Sequence, residues 1–184
     1  MSDIYFVANV VSTTEFGLFS FTYAEIDKLC LEMATSEPPK EIPVLYQHEG
    51  PVVGKILHLF RTTQSDSAND MLSVIGIIKG DTKAAEVLLN YDVQSQPSIR
   101  PLVSTRMQLD PENAFPHLKS AAKRINNLAL LDEAPDPQTK EGQILCFSTI
   151  PELLQHYVRE SYWQRKLIRY IHPTTLEWLG LPPN

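Results

Sequence analysis

The chain has 184 residues, 43% of them hydrophobic, which is enough for one sizeable core in a single domain. Its formal net charge is −6 and its Lys and Arg residues are scattered, which excludes the basic footprint of a nucleic-acid-binding protein. The sequence lacks a basic signal-peptide start and a long apolar run, so we expect a protein that neither spans a membrane nor is secreted.

The first half of the chain predicts strands and two helices, because runs of β-branched and aromatic residues alternate with segments of helical spacing. In chain order we predict a strand at 4–11, a helix beginning after Thr22, two strands within 44–63 around a Gly-Pro turn, a strand at 71–80, and a helix at 82–93 capped by Asp81 or Thr82.

The second half predicts shorter strands and the longest helical pattern of the chain. In order these are a short strand at 102–107, a helix at 110–126 whose regular part begins at Pro116, strands at 127–131 and 142–148, and a helix at 150–171 closed by His172-Pro173.

Six or more short strands with three or four helices, without regular strand–helix alternation, predict an α+β fold. We expect a closed or partly closed β-barrel surrounded by helices. One domain is predicted over 1–184, with the barrel and helices at about 4–171 and a C-terminal tail at 172–184.

No motif for a cofactor is present. The five histidines (48, 58, 117, 156 and 172) do not have the spacing of zinc ligands, and the seven glycines form no phosphate-binding motif. Cys30 and Cys146 are predicted to be buried thiols. We therefore predict no metal and no cofactor.

Nucleophilic catalysis is the chemistry that the sequence leaves open. Ser104 lies in a predicted strand, and His48 ends an apolar run before a turn. A serine becomes nucleophilic when a neighbouring histidine removes its proton. Considered alone, however, a strand serine is usually bonded to backbone, and a histidine at the end of a strand usually packs.

Two short motifs in order give the chain a family resemblance. Leu45-Tyr46-Gln47-His48 is followed by Val53-Gly54-Lys55-Ile56, and after a predicted strand and helix comes Ser104-Thr105-Arg106. In this order the motifs resemble those of the herpesvirus maturational (assemblin-type) serine proteases and, more distantly, the prohead proteases of tailed phages. The resemblance covers roughly residues 4 to 160.

The resemblance implies a serine endopeptidase for capsid maturation, which would cleave an internal scaffolding protein and its own precursor. Ser104 would be the nucleophile and His48 the general base. The third member of the catalytic triad would be Asn127, which stands where the family has a second histidine. His117 is the alternative. The acidic loop 132–141 replaces a basic turn of the family, which leaves the oxyanion donors unassigned.

The resemblance also supplies a rival reading. The family's nucleophile strand can hold two serines two residues apart, and a register shifted by two would put Leu102 at the nucleophile position and inactivate the protein. We favour Ser104 as the nucleophile, because an apolar pair precedes it in the strand. The altered loop at 132–141 and the missing second histidine motivate the rival, an inactive barrel paralogue that acts in capsid assembly or binding.

Partners and location follow from the resemblance as expectations. We expect the scaffolding protein as substrate and a homodimer formed through the C-terminal helix at about 151–171, with no nucleic acid and no membrane. The implied location is the interior of an assembling capsid, in the nucleus for a virus of eukaryotes or in the cytoplasm for a phage.

Overall fold

The computed structural model of the chain describes residues 1–13, 21–63, 69–92, 94–106, 122–138 and 140–183. The strands are β1 (Ile4–Ser12), β2 (Pro43–Tyr46), β3 (Val52–Thr63), β4 (Asp70–Ile78), β5 (Ser98–Arg106), β6 (Ala122–Leu131), β7 (Gln143–Ser148) and β8 (Ile168–Ile171).

The helices are α1 (Tyr23–Thr35), α2 (Lys83–Leu89), α3 (Pro151–Val158) and α4 (Pro173–Trp178), and a π-helical turn at Arg159–Trp163 continues α3. Within the described ranges, none of them has the length and apolar character needed to cross a membrane.

Seven strands close into a barrel, and the eighth lies outside it. The order around the barrel is β2-β6-β5-β7-β1-β4-β3, and β2 also pairs with β3, which closes the ring. β8 extends the sheet beyond β3. The β2–β6 pair is parallel, with Leu45 beside Ala129, whereas β5–β6 and β2–β3 are antiparallel. The predicted α+β fold with a closed barrel is confirmed.

Strands β1, β3 and β4 bury side chains on both faces. The inner core fills the barrel and includes Phe6 and Leu72, whereas the outer core includes Val7, Phe60 and Ile75. α3 and α4 contribute side chains to the outer core, so alternate residues of the same strands enter different cores. Burial on both faces explains the nearly continuous apolar run of β1.

The two N-terminal helices begin at the predicted caps. Thr22 and Glu25 form a reciprocal capping box at the start of α1, and the Thr82 hydroxyl accepts from the Ala85 N–H at 3.3 Å at the start of α2. Of the two candidate caps for α2, Thr82 is therefore correct and Asp81 is not.

The predicted helix at 110–126 is wrong over its last residues. Residues 122–126 belong to β6, where Ile125 is buried in the inner core opposite Val103 of β5. Pairing with β5 outweighs the helical spacing of this segment. The rest of the predicted helix, 110–121, lies outside the described residues.

The predicted helix at 150–171 is also wrong in its C-terminal part. The helical segment ends after Trp163, and Lys166 adopts a left-handed conformation with φ of 55°. Ile168 and Ile171, which are β-branched, then pair with β3. The apolar residues before Trp163 and those after Leu167 therefore belong to two different elements and not to one helical face.

The segment predicted as a tail is packed against the barrel. His172-Pro173 starts a helix here instead of only ending one, since His172 Nδ1 accepts from the Thr174 N–H at 3.2 Å and Pro173 occupies the first turn. Leu179 is fully buried in the outer core.

Candidate functional site

His48 lies in the turn between β2 and β3, and the preceding residues fix this turn. Gln47 has a left-handed φ of 62°, and its N–H donates to the Leu130 carbonyl of β6 at 2.9 Å. The Tyr46 hydroxyl and the Gln47 side-chain amide donate to the same carboxylate oxygen of Asp132, at 2.9 and 3.1 Å. These bonds attach the turn to the end of β6.

Two glycines that follow His48 are required by packing. A Cβ at Gly50 would lie 1.5 Å from the Tyr46 carbonyl oxygen, and a Cβ at Gly54 would lie 1.9 Å from the Ile77 carbonyl oxygen. Only glycine fits at such distances from backbone. Gly54, the glycine of the motif that carries the family resemblance, thus has a structural cause that does not depend on catalysis.

An ion pair lies beside this turn. Lys83 Nζ donates to the Glu86 carboxylate at 2.9 Å, and this bond raises the pKa of Lys83, with smaller contributions from Tyr46 and Asp132. Because the pair is exposed and its charges cancel, it creates little net field at His48.

His48 itself is exposed. Across the described ranges, its imidazole has no hydrogen bond, ion pair or ring contact. A histidine that acts as general base needs a second group to fix its orientation and tautomer. The described residues supply no such group in this conformation.

A cleft of about 520 Å³ extends from His48 along β5. Within the described part of the chain, β5 pairs with β7 only at Ser98 and Gln143. Beyond this pair the two strands separate. The lining consists of Val10, Val11, His48, Arg100, Pro101, Leu102, Val103, Asp136, Glu141 and Gly142.

The register of β5 and β6 decides which residue of β5 lies next to Asn127. Leu102 is directly opposite Asn127, whereas Ser104 is opposite Arg124. The register shifts between Leu102 and the next residue, and the Ser104 hydroxyl donates to Asn126 Oδ1 at 3.2 Å. Leu102, not Ser104, therefore lies in the cleft opposite the proposed third member.

Ser104 and His48 lie toward different ends of β6. Ser104 is opposite Arg124, and Tyr46, two residues before His48, is beside Leu130. Six residues of strand separate these positions, or roughly 20 Å at about 3.3 Å per residue. No hydrogen bond joins His48 to Ser104 among the described residues, and proton transfer needs a separation of about 3 Å.

The third member of the predicted triad is not identified by these contacts. Asn127 is half-buried and has no side-chain hydrogen bond within the described residues, and His117 lies outside them. The catalytic roles of His48, Ser104, Asn127 and His117 stay predictions. Among the described residues, no group of three or more His, Cys, Asp or Glu is arranged to hold a metal ion.

Sequence reasoning missed the polar residues of the cleft. Arg100 Nη2 donates to the Ala134 carbonyl at 3.3 Å and holds the loop after β6 over the cleft, where Asp136 joins the lining. One signal was available, because Pro101 has no N–H to donate and proline in a strand indicates an unpaired border.

Comparison with known proteins adds no assignment: neither the scan against protein-family models nor the search of curated proteins gives a match.

Proposed function

We propose that this chain is a non-catalytic barrel that binds an extended peptide and serves in capsid assembly. The observation that carries the proposal is that Leu102 lies opposite Asn127 and shares the cleft with His48. An alkyl side chain has no proton to lose and cannot attack a carbonyl carbon. A site with leucine at this position can hold a peptide without cutting it.

The cleft has the chemistry of a site for an extended peptide. Val10, Val11 and Leu102 supply apolar contacts, and the border of β5 that faces β7 has no paired strand beyond Ser98 among the described residues. A peptide added to such a border gains main-chain hydrogen bonds, while side-chain pockets give selectivity. Arg100 adds a charged group to the wall.

The resemblance to capsid maturation proteases supplies the partner. Those enzymes act on scaffolding proteins, so the proposed ligand is a segment of a scaffolding protein inside an assembling capsid. Retention of the barrel and the cleft with loss of the nucleophile would turn cleavage into binding.

A second copy is the other proposed partner. Ile150 and Leu153, at the start of α3, are 50% and 54% exposed, which leaves an apolar strip on the helix predicted to form the homodimer. The proposed contact is therefore limited to α3, because β8 replaces the last part of that predicted helix. In sedimentation experiments, Leu153→Glu should shift a dimer of the chain to monomer, whereas Leu89→Glu, on α2, should not.

Peptide selection tests the binding proposal. A phage-displayed library of random linear peptides is selected on the full chain, and the enriched peptide is synthesised for titration. Leu102→Asp should weaken its binding at least tenfold, whereas Leu89→Asp should leave it within twofold. These two leucines are 53% and 52% exposed, so they form a matched pair. Failure to enrich any peptide, or equal binding by both variants, would refute the proposal.

The serine endopeptidase is the second candidate function. It is favoured by the exposed Ser104 hydroxyl on β5, two residues from Leu102, and by His48 on the cleft that Val103 also lines. This function requires a conformation in which His48 approaches Ser104. Cleavage of the scaffolding protein would then be abolished by either Ser104→Ala or His48→Ala.

A serine-directed phosphonate separates the two candidates. The protease should be labelled at Ser104, and Ser104→Ala should abolish labelling while Ser95→Ala, at an exposed serine, should not. The binding proposal expects no labelling of the natural chain. It further expects the double variant Leu102→Ser, Asn127→His to gain labelling at position 102, because these changes supply a hydroxyl in the cleft and an imidazole at the opposite position of β6.

A further inference from the structure

The border of β8 is the strongest unexplained surface of the molecule. β8 pairs with β3 along one side, and no strand lies on its other side in the part of the chain that the structure describes. The strand lies outside the closed barrel, so barrel closure does not protect this border. Unpaired N–H and C=O groups at a border form main-chain hydrogen bonds with an added strand.

The chemistry around this border is basic and aromatic. Among the described residues, a cavity of about 470 Å³ beside β8 is lined by Trp163, Lys166, Ile168, Arg169, Tyr170 and Ile171, and none of these carries a carboxylate. Lys166 and Arg169 are exposed, and neither has an ion pair or a side-chain hydrogen bond with the described residues. In a chain of net charge −6, these two cations form a local basic patch.

One acid close to this patch, Asp27, is already paired with another residue. Asp27 contributes, after burial and Cys30, to raising the pKa of Tyr170, so it lies close to the lining. Both of its carboxylate oxygens accept from Arg61, at 2.7 and 3.2 Å. This bidentate pairing directs the Asp27 carboxylate to Arg61, which also donates to Asp70, and not to Lys166 or Arg169.

We infer that β8 docks an acidic, extended peptide segment of a protein partner. The segment adds as a strand to the open border of β8, and its carboxylates pair with Lys166 and Arg169. Its alternate side chains contact Trp163 and Ile168, since successive residues of a strand point to opposite faces. This surface is separate from the cleft along β5 and does not depend on the function proposed for that cleft.

Charge complementarity decides between occupants of this surface. A second copy paired through its own β8 would bring the two basic patches together, which costs energy. A nucleic acid would meet a chain of net negative charge, and its backbone cannot use the main-chain groups of a strand border. An acidic peptide satisfies both the charges and the border.

The test uses a fluorescein-labelled octapeptide of alternating Glu and Val, titrated into the full chain at about 0.15 M salt. Arg169→Glu should weaken binding at least tenfold, whereas Lys55→Glu, at an exposed lysine on β3, should change it less than twofold. The same peptide with alternate backbone amides methylated keeps its charge but cannot form a strand ladder, and it should also bind at least tenfold more weakly. Circular dichroism confirms that each variant folds.

Four results would overturn the inference. Equal binding of the methylated peptide would indicate charge attraction without strand addition, and an unchanged affinity for Arg169→Glu would exclude this surface. Displacement of the peptide by millimolar inorganic phosphate would indicate a small-anion site. Tighter binding of a labelled oligothymidylate than of the peptide would indicate a nucleic-acid surface.

Discussion

The inner and outer cores differ in what encloses them. The inner core is enclosed by seven paired strands and by α1 and α2. The outer core lies between one sheet face and the short C-terminal elements. A buried chain of hydrogen bonds lies on the strand faces that carry the outer core. It joins Thr62 of β3, Ser73 of β4 and Asn9 of β1.

This difference indicates where the molecule can change without loss of the barrel. The six-residue α4 is too short to be stable alone, so its order depends on docking to the outer core. In the barrel, by contrast, β1 and β4 have a paired strand on both sides over most of their length. We therefore expect the C-terminal layer to open at lower free energy than the barrel.

Removal of a large side chain from the outer core should have the largest effect. Phe60 is fully buried on β3 and contacts Tyr162 edge-on, with ring centroids 6.5 Å apart. Phe60→Ala should lower the free energy of unfolding by about 3–5 kcal/mol, because it leaves a cavity in a strand shared with the barrel. Urea unfolding measures this change in the free energy of unfolding, and Phe6→Ala gives the corresponding value for the inner core. A loss below about 1 kcal/mol for Phe60 alone would contradict a closely packed outer core.

Truncation in the C-terminal layer should act locally. Leu179→Ala should lower the free energy of local unfolding of residues 173–181 by about 2–5 kcal/mol. Hydrogen exchange should then be faster in this segment and unchanged in β4. Leu89→Ala, at an exposed leucine outside the proposed dimer contact, should change stability by no more than about 0.5 kcal/mol. Faster exchange in β4 as well would mean that both cores unfold together.

Acid should weaken the contact between β3 and α4. The His58 ring packs against Trp178 with centroids 4.9 Å apart, and burial lowers the pKa of His58 from 6.5 to about 4. Because the unfolded chain binds the proton first, the contribution to stability is complete above about pH 6.5 and is lost as the pH falls to 4. After allowance for solvent screening, we expect a loss on the order of 1–2 kcal/mol.

Urea unfolding at several pH values checks this effect. The dependence between pH 6.5 and 4 should be flatter for His58→Gln, which cannot titrate. An identical pH profile for the variant and the natural chain would assign the effect to other groups.

Loss of one buried hydroxyl should have the smallest effect. Thr62 Oγ1 and Ser73 Oγ are 2.8 Å apart, and Ser73 donates to Asn9, so Thr62 is the donor of the pair. Thr62→Val should cost about 1 kcal/mol, because a lost buried hydrogen bond is offset in part by the added methyl group. Thr35→Val, at an exposed hydroxyl, is the control in the same unfolding assay. A stabilised Thr62→Val variant would show that the polar chain is not required.

The strands and the N-terminal helices could be predicted because their signals are local. Thr22 and Glu25 mark a helix start by their spacing, and the apolar run of β1 marks a buried strand. The errors arose where pairing with a distant strand decides the structure. Ile125 and Ile168 belong to segments of helical spacing, and each becomes a strand because of its partner.

The candidate site was harder to predict than the fold. The sequence indicated His48 and a strand with Leu102 and Ser104, but it could not show which of the two lies opposite Asn127. That depends on a register shift between β5 and β6 beyond Leu102, and such a shift leaves no reliable signal in one sequence. Pro101 did indicate the open border of β5.

The parallel pairing of β2 with β6 has a consequence for synthesis of the chain. Val44 and Tyr46 find their partners in Leu128 and Leu130, which leave the ribosome much later. At translation rates of about 5–20 residues per second, β2 and its attached turn wait several seconds without that neighbour. Until β6 emerges, the nascent chain exposes this apolar strand, and a chaperone that shields it would raise the yield of closed barrels.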